Sequence, residues 1–442
     1  MGSAPRMDWN RLLDATRTDW NSKQKDLRSP FQRDVDRIIF SDAFRRLSRK
    51  TQVHPLNEND HIHSRLTHSL EVATVGKSLG ELVGGFLKEN NELPEDITPI
   101  HIAEIVQAAC LAHDIGNPPF GHSGEAAIKD WFKTRSNIGK FLAPGLLTDF
   151  TKFDGNAMAI RTMLSTGFYK EGMNPTYAVV GTLLKYPWPS SFEAGKDKFS
   201  IFRTEADTVR SVARTLGLID KGERFARHPL AFLMEAADDI CYRIIDMEDA
   251  TELGILPGEF MYEQFAGPLD LDSTPERAER YRKRHFRQRN SIIRANLIGL
   301  ATGDAVEIFK ANYASIMDGS LDHSASLMGM SDGICKTLHD AYKGIEDRLF
   351  LSRRKAVLEL GAQNALGLLL DRTMVDVDES KLPPVVAVNP QVMALLGKEL
   401  FDNIPEDGLH DYRLVMAIVD YISGMTDHYA TDLCRKFLGL GY

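Results

Sequence analysis

Residues 111–125 hold the densest set of groups able to do chemistry: Leu111-Ala112-His113-Asp114-Ile115-Gly116-Asn117-Pro118-Pro119-Phe120-Gly121-His122-Ser123-Gly124-Glu125. An apolar, helix-like run through Ile102, Ile105, Val106, Ala109 and Cys110 leads into the adjacent His113 and Asp114. A Gly/Pro loop then breaks the helix, so both side chains can turn toward one cation. Imidazole plus carboxylate is a ligand set for Mn, Fe, Zn or a similar divalent ion. His122 and Glu125 follow at i, i+3 spacing, where a new helix can start, and are free for proton transfer beside that metal. The dipeptide alone carries little weight, because His-Asp also occurs at 339–340 and 410–411. Neither of those pairs has a Gly/Pro loop and a second His/Glu pair after it, so both read as surface or capping residues.

Other elements must bring partners to this stretch. A long helix is expected from about Ser64 to Leu87, with Leu66, Leu70, Ala73, Leu79, Leu82, Val83 and Phe86 recurring mostly at three or four, and it carries His68. A second clear helix spans about 229–252 and opens on Pro229, a favourable first position. Asp238, Tyr242 and Asp246 share one face of it at i, i+4, i+8. Acidic residues within an apolar helix are costly to bury unless something binds them. Periodicity does not choose between Asp238 and its neighbour Asp239. If the helices pack, His68, His113, Asp114 and one of these aspartates offer two imidazoles and two carboxylates, with positions left open for water and substrate.

The remaining chain bounds the function. Its 442 residues are 43% hydrophobic and 26% charged, ordinary for a globular protein, with a net charge of −9. The protein as a whole is therefore not an electrostatic nucleic-acid binder. No run of 18 or more apolar residues suggests a membrane helix, and a cytoplasmic protein is expected. Residues 1–6 read as an added leader before a native Met7. Cys110, Cys241, Cys335 and Cys434 lack C-x-x-C spacing and read as buried free thiols. Gly76-Lys77-Ser78 resembles the end of a phosphate loop, but Glu71 stands where that motif needs glycine, and the triplet lies in a helical pattern. The run 276–289 is strongly basic (Arg277, Arg280, Arg282, Lys283, Arg284, Arg287, Arg289). A solvated helix face is its plain reading, and a site for an anionic effector or single-stranded nucleic acid is the alternative. Residues 8–27 read as a polar helix. Residues 29–49, 126–135, 155–166 and 176–185 are further helical patterns, and 187–198 and 376–390 are loops. The expected class is all-α.

Taken together, Arg65-Leu66-Thr67-His68-Ser69, the 113–125 stretch and Glu235-Ala236-Ala237-Asp238-Asp239-Ile240-Cys241-Tyr242 resemble the HD-superfamily deoxynucleoside triphosphate triphosphohydrolases, the bacterial dGTPase-like group. Arg45-Arg46-Leu47, Lys50-Thr51-Gln52-Val53, Leu184-Lys185-Tyr186-Pro187 and Asp420-Tyr421-Ile422-Ser423-Gly424-Met425-Thr426-Asp427 extend the resemblance from about residue 29 to 430. The resemblance implies an HD-type helical core over 29–252, after an N-terminal segment 1–28, with a helical C-terminal part 253–442 packed on it. It implies cleavage of a dNTP to deoxynucleoside and tripolyphosphate with a divalent metal, Mn, Mg or another transition ion. It implies His68, His113, Asp114 and Asp238 as metal ligands, and His122 with Glu125 as the proton-transfer pair. Arg65, Asn117, Lys185, Tyr186 and Tyr242 then face the triphosphate and sugar, while Gln52, Val53 and Asp246 face the deoxyribose. Asp238 is preferred to Asp239 because Tyr242 and Asp246 share its face. Asn117 stands where some relatives carry another histidine, which puts in doubt any relay needing a second imidazole. A homo-oligomer, often a hexamer, and response to a nucleotide effector or single-stranded DNA are further implications. The competing classes are another HD-type phosphohydrolase or phosphodiesterase, and a non-catalytic nucleotide or single-stranded DNA sensor.

Overall fold

The computed structural model describes residues 5–18, 26–52, 59, 61–134, 138–164, 173–195, 197–350, 353–378 and 385–441. The class is all-α: 22 α-helices stand among the described residues, beside one two-stranded sheet. That sheet corrects the expected loop at 376–390, because Asp376–Asp378 pairs antiparallel with Val385–Ala387. Alternating valines favour extended pairing once a partner lies alongside. The expected helix at 8–27 is also corrected. Only Trp9–Leu12 is helical, and residues 13–18 and 26–29 are not. Trp9 and Leu12 are buried there, and His228 bonds the Leu12 carbonyl, so docking rather than helical propensity sets this segment.

The helix carrying His68 runs Arg65–Glu89. Ser64 caps it reciprocally with Thr67, each hydroxyl accepting from the other residue's backbone N–H. Leu70 and Leu82, expected on the core face, are instead 44% and 50% exposed. The buried stripe is Val72, Val75, Gly76, Leu79, Gly80, Val83, Gly84 and Leu87, rotated because the glycines decide the contact. A Cβ on Gly80 would lie 2.8 Å from the Ala103 backbone, and one on Gly84 would lie 2.7 Å from Pro99. Three small residues at i, i+4, i+8 thus let this helix lie directly on helix Pro99–Ala112, which ends at His113. Gly76 meets Cys110 in the same seam, so the Gly76-Lys77-Ser78 triplet is part of helix packing. Helix Pro229–Glu252, carrying Asp238, lies against both.

Two hydrophobic cores are present among the described residues. The first runs from Met7 to Leu349 and includes the packed faces of these three helices. The second runs from Phe120 to Cys434. Buried Arg161 ties helix Gly155–Met163 to helix His410–Ser423. It binds Asp420 in a two-pronged contact at 2.7 and 2.9 Å and Glu205 at 2.7 Å. An uncompensated charge at that depth would cost several kcal/mol, on the order of 3–5. No described helix is long and apolar enough to cross a membrane.

Candidate active site

A cavity of about 500 Å³ opens where the elements of the two cores meet. Its floor is the His113 turn. His68 and His113 come edge to face, with ring centroids 5.3 Å apart. His113 Nδ1 donates to the Cys110 carbonyl at 2.6 Å, as a continuation of the helix end. That fixes Nδ1 as a donor and leaves Nε2 buried and without a hydrogen-bond partner. Asp114 Oδ1 and Asp238 Oδ1 each lie 3.6 Å from this nitrogen. Asp238 Oδ1 is also 3.2 Å from His68 Nε2. One donor atom each from His68, His113 and Asp114 lies within 4.8 Å of the others. An orphaned imidazole nitrogen facing two carboxylates is the donor chemistry of a divalent cation site, so these residues fit a metal.

The two neighbouring aspartates diverge. Burial would raise both, but His113, His68 and Lys185 hold Asp238 far below the usual carboxylate range. Asp239 pairs with Arg243 at 3.3 Å, and burial pushes its carboxyl up to about 6. Asp114 is also held low, because Arg65, His113 and His68 overcome its burial. Burial alone would lower His68, but the hydrogen bond to Asp238 outweighs it and the ring is raised.

His122 stands two residues past a left-handed corner. Phe120 has φ +64° and Gly121 +58°, and a Cβ on Gly121 would collide with Arg65 Nη2. The imidazole is open to the cavity although the walls around it are protein. That enclosure, with Arg65 and Lys198 nearby, lowers its pKa against the pull of Glu125. His122 and Glu125 share no hydrogen bond among the described residues. Among the described residues Glu125 accepts from the Gly155 backbone N–H at 2.8 Å and pairs with Lys198 at 3.3 Å. It reaches His122 through charge alone. Both residues line the cavity from the first turn of helix Gly121–Thr134, His122 exposed to it and Glu125 buried against Gly155 and Lys198.

The other expected residues fall as follows. Arg65 donates to Asp114 Oδ2 at 2.8 Å, and the Asn117 amide also bonds Asp114, so both brace this carboxylate while lining the cavity. Lys185, Tyr186 and Tyr242 line it as well. Lys185 lies 3.6 Å from Glu235, and its charge is held in place despite burial by Tyr186, Glu235 and Asp238. Gln52 lines the cavity with its Oε1 buried and unbonded. Asp246 accepts from Tyr342 at 2.9 Å. Val53 lies outside the described residues.

Sequence reasoning missed several lining residues. Lys198 lies in the 187–198 loop, paired with Glu125 and with Asp154, whose carboxyl burial pushes up to about 6. A lysine in a Pro/Gly loop carries no periodic signal. Tyr342 stacks edge to face on Tyr242 at 5.3 Å, and Glu346, Leu358 and Glu359 join it from the C-terminal half. Four cations of the basic run pair with carboxylates, three of them outside the run: Arg277 with Asp270, Lys283 with Glu279, Arg287 with Glu252, and Arg289 with Glu259. His339 and His410 are not among the residues lining this cavity.

Residues 65–177 match the HD domain family. A deoxyguanosinetriphosphate triphosphohydrolase-like protein of Pseudomonas aeruginosa is 40% identical over 98% of this chain and 99% of its own. One of the same name from Synechocystis sp. is 32% identical over 98% of this chain and 100% of its own. A deoxyguanosinetriphosphate triphosphohydrolase of Yersinia pestis is 31% identical over 92% of this chain and 93% of its own.

Proposed function

Because the chain belongs to the HD-domain family of deoxyguanosinetriphosphate triphosphohydrolase-like proteins, we propose that it hydrolyses dNTPs to deoxynucleoside and inorganic tripolyphosphate. The observation that carries this is the convergence, in one cavity, of His113, Asp114 and Asp238 with His122 and the cations Arg65, Lys185 and Lys198. Residues 29–252 form the catalytic core in this reading, and 253–442 close the cavity with Tyr342, Glu346, Leu358 and Glu359.

His68, His113, Asp114 and Asp238 would hold a divalent ion, Mn, Mg or another transition metal, which would supply charge neutralisation at the α-phosphate. Lys185 and Lys198 bind the negative charge of the triphosphate, which a loose, charge-rich phosphoryl transition state requires. Arg65 holds Asp114 in place and presents its remaining N–H groups to the phosphates. Asn117 anchors the same carboxylate. His122, favoured as the neutral imidazole, takes the proton of the water that attacks the α-phosphorus and passes it to the 5′-oxygen as the P–O5′ bond breaks, with Glu125 tuning its basicity through space. Tyr242 and Tyr186 wall the sugar, and Gln52, Val53 and Asp246 meet the deoxyribose. The same reading carries a cytoplasmic homo-oligomer responsive to a nucleotide effector or single-stranded DNA.

Incubating the pure protein with each dNTP and Mn or Mg, then identifying the phosphate product, tests the reaction. Tripolyphosphate supports it. Pyrophosphate or monophosphate assigns the chain to another HD phosphohydrolase chemistry, and no turnover with any dNTP removes the enzymatic reading.

A further inference from the structure

Lys50, Thr51, Ser423 and Asp427 have no task in the reaction above, yet they meet beside the catalytic loop. Asp427 is buried at the first position of helix Asp427–Phe437, immediately after the Thr426 cap. Its two carboxylate oxygens serve two different segments. Oδ1 accepts from the Phe120 backbone N–H at 2.8 Å. Oδ2 accepts from Thr51, from the backbone N–H at 3.0 Å and from the hydroxyl at 2.6 Å. Lys50, also buried, makes a parallel bridge: its ammonium donates to the Asn117 carbonyl at 2.5 Å and the Ser423 carbonyl at 2.7 Å.

Each tethered atom lies next to a group the reaction needs. Phe120 is the non-glycine residue held at φ +64°, and His122 follows two residues on. A bulky residue in the left-handed region persists only when its surroundings over-determine it. The Asp427 carboxylate supplies that constraint by fixing the Phe120 N–H. Thr51 is bridged to Ser64, and Arg65 N–H bonds the Lys50 carbonyl, so Gln52 and Arg65 flank the same pair of backbone contacts. The Lys50 ammonium holds the Asn117 end of the loop.

We propose that Asp427 is a positioning residue: with Lys50 it clamps the loop that leads to His122 and the segment that carries Gln52 to each other through the C-terminal helix junction. Proton transfer and sugar reading are thereby set in register by a segment some 300 residues away in sequence from His122. The inference rests on the triphosphohydrolase reading for its kinetic readout, and on backbone exchange for its independent one.

Asp427→Asn keeps the side chain's size but leaves one acceptor oxygen where two were used. Expected are an unchanged circular dichroism spectrum and wild-type bound Mn per chain, with faster amide exchange at Phe120, Thr51 or both. A fall in kcat by about 10²-fold is expected, the scale of a reacting group misplaced by about 1 Å. Thr51→Val removes only the hydroxyl; it should raise KM and narrow the preference for a dNTP over its dideoxy analogue, with kcat held, and Thr51→Ser should restore both. Unmoved exchange at both amides in Asp427→Asn overturns the clamp. So does a kcat loss that merely tracks lost folded fraction or lost Mn, which would make the role structural alone. If the wild type cleaves no dNTP, the reaction assignment fails instead. The clamp then stands if Asp427→Asn frees either amide with Mn retained, and falls if it does not.

Discussion

Two regions of this chain are rich in charge, and they behave in opposite ways. In the cavity, Arg65, Lys185, Lys198, Asp114, Asp238 and Glu125 come from separate elements and converge at depth. Along 277–287 the cations come from consecutive turns and diverge, with Arg277, Lys283 and Arg287 side chains 43%, 74% and 48% exposed, and only Arg289 at the end of the run is buried. A surface pair is worth about 0–1 kcal/mol. A buried group with no partner costs several times that, so the cavity keeps its charges only because each balances another. Density of charge in sequence therefore says little; convergence at low dielectric is what shifts ionisation and makes a site.

The largest effect should come from the centre of convergence. Asp238→Ala is expected to abolish dNTP hydrolysis and deplete bound metal, while Asp239→Ala, which breaks only the Arg243 pair, retains metal. Metal analysis of both variants decides the point, and loss of metal in Asp239→Ala alone would reverse the assignment.

Next comes the group that faces the cavity without bracing the floor. His122→Ala should keep metal and nucleotide binding while kcat falls about 10²–10⁴-fold. Loss of metal in this variant would place His122 among the ligands.

At the sugar end, Asp246→Ala should cost about 1–3 kcal/mol in kcat/KM with a normal dNTP. It should also narrow the gap between dNTP and 2′,3′-dideoxy substrate, since the carboxylate that would accept from the 3′-hydroxyl is gone. Both substrates measured on both proteins form a closed cycle. Equal slowing of the two would show that Asp246 does not read the 3′-hydroxyl.

Burial without an anion sharpens the contrast further. His228, at the start of the Asp238 helix, accepts from Leu230 N–H and bonds the Leu12 carbonyl through its other nitrogen. Burial pushes its pKa down from 6.5 to about 4. The folded state then binds fewer protons than the unfolded state between those values. Stability is full above pH 6.5 and falls as pH drops through this window, by about 2 kcal/mol at pH 5. Denaturant melts from pH 7 to 5 should show the loss, and His228→Asn, which keeps an acceptor for Leu230, should flatten it. An equal slope in the variant would assign the acid sensitivity elsewhere.

The smallest effect is expected on the diverging side. Replacing Arg280, Arg282 and Arg284 with glutamine should leave basal hydrolysis within about twofold, as for exposed charges generally. If single-stranded DNA alters activity at low salt, and these substitutions flatten its salt dependence, the run is a binding site after all and the comparison must be redrawn.

Much of the arrangement was legible in one dimension. The 229–252 helix and the start of the His68 helix near Ser64 follow from periodicity, and a Gly/Pro break beside His113 and Asp114 is expected too, although the helix ends at Ala112, before the pair rather than after it. The all-α class and the family resemblance followed from the same local patterns read in order. What tertiary structure alone decided concerns residues that meet through space. It set Asp238 beside two histidines and Asp239 beside Arg243, a distinction that an angle of one residue on a helix cannot carry until neighbouring helices are in place. It turned Arg65 and Asn117 onto Asp114, gave Glu125 to Gly155 and Lys198, and brought Tyr342 to Asp246. Those contacts depend on close approach permitted by Gly80 and Gly84 and on chain crossings far apart in sequence. Sequence pattern reports which face of an element is apolar; only packing reports which polar groups the buried faces oblige to pair.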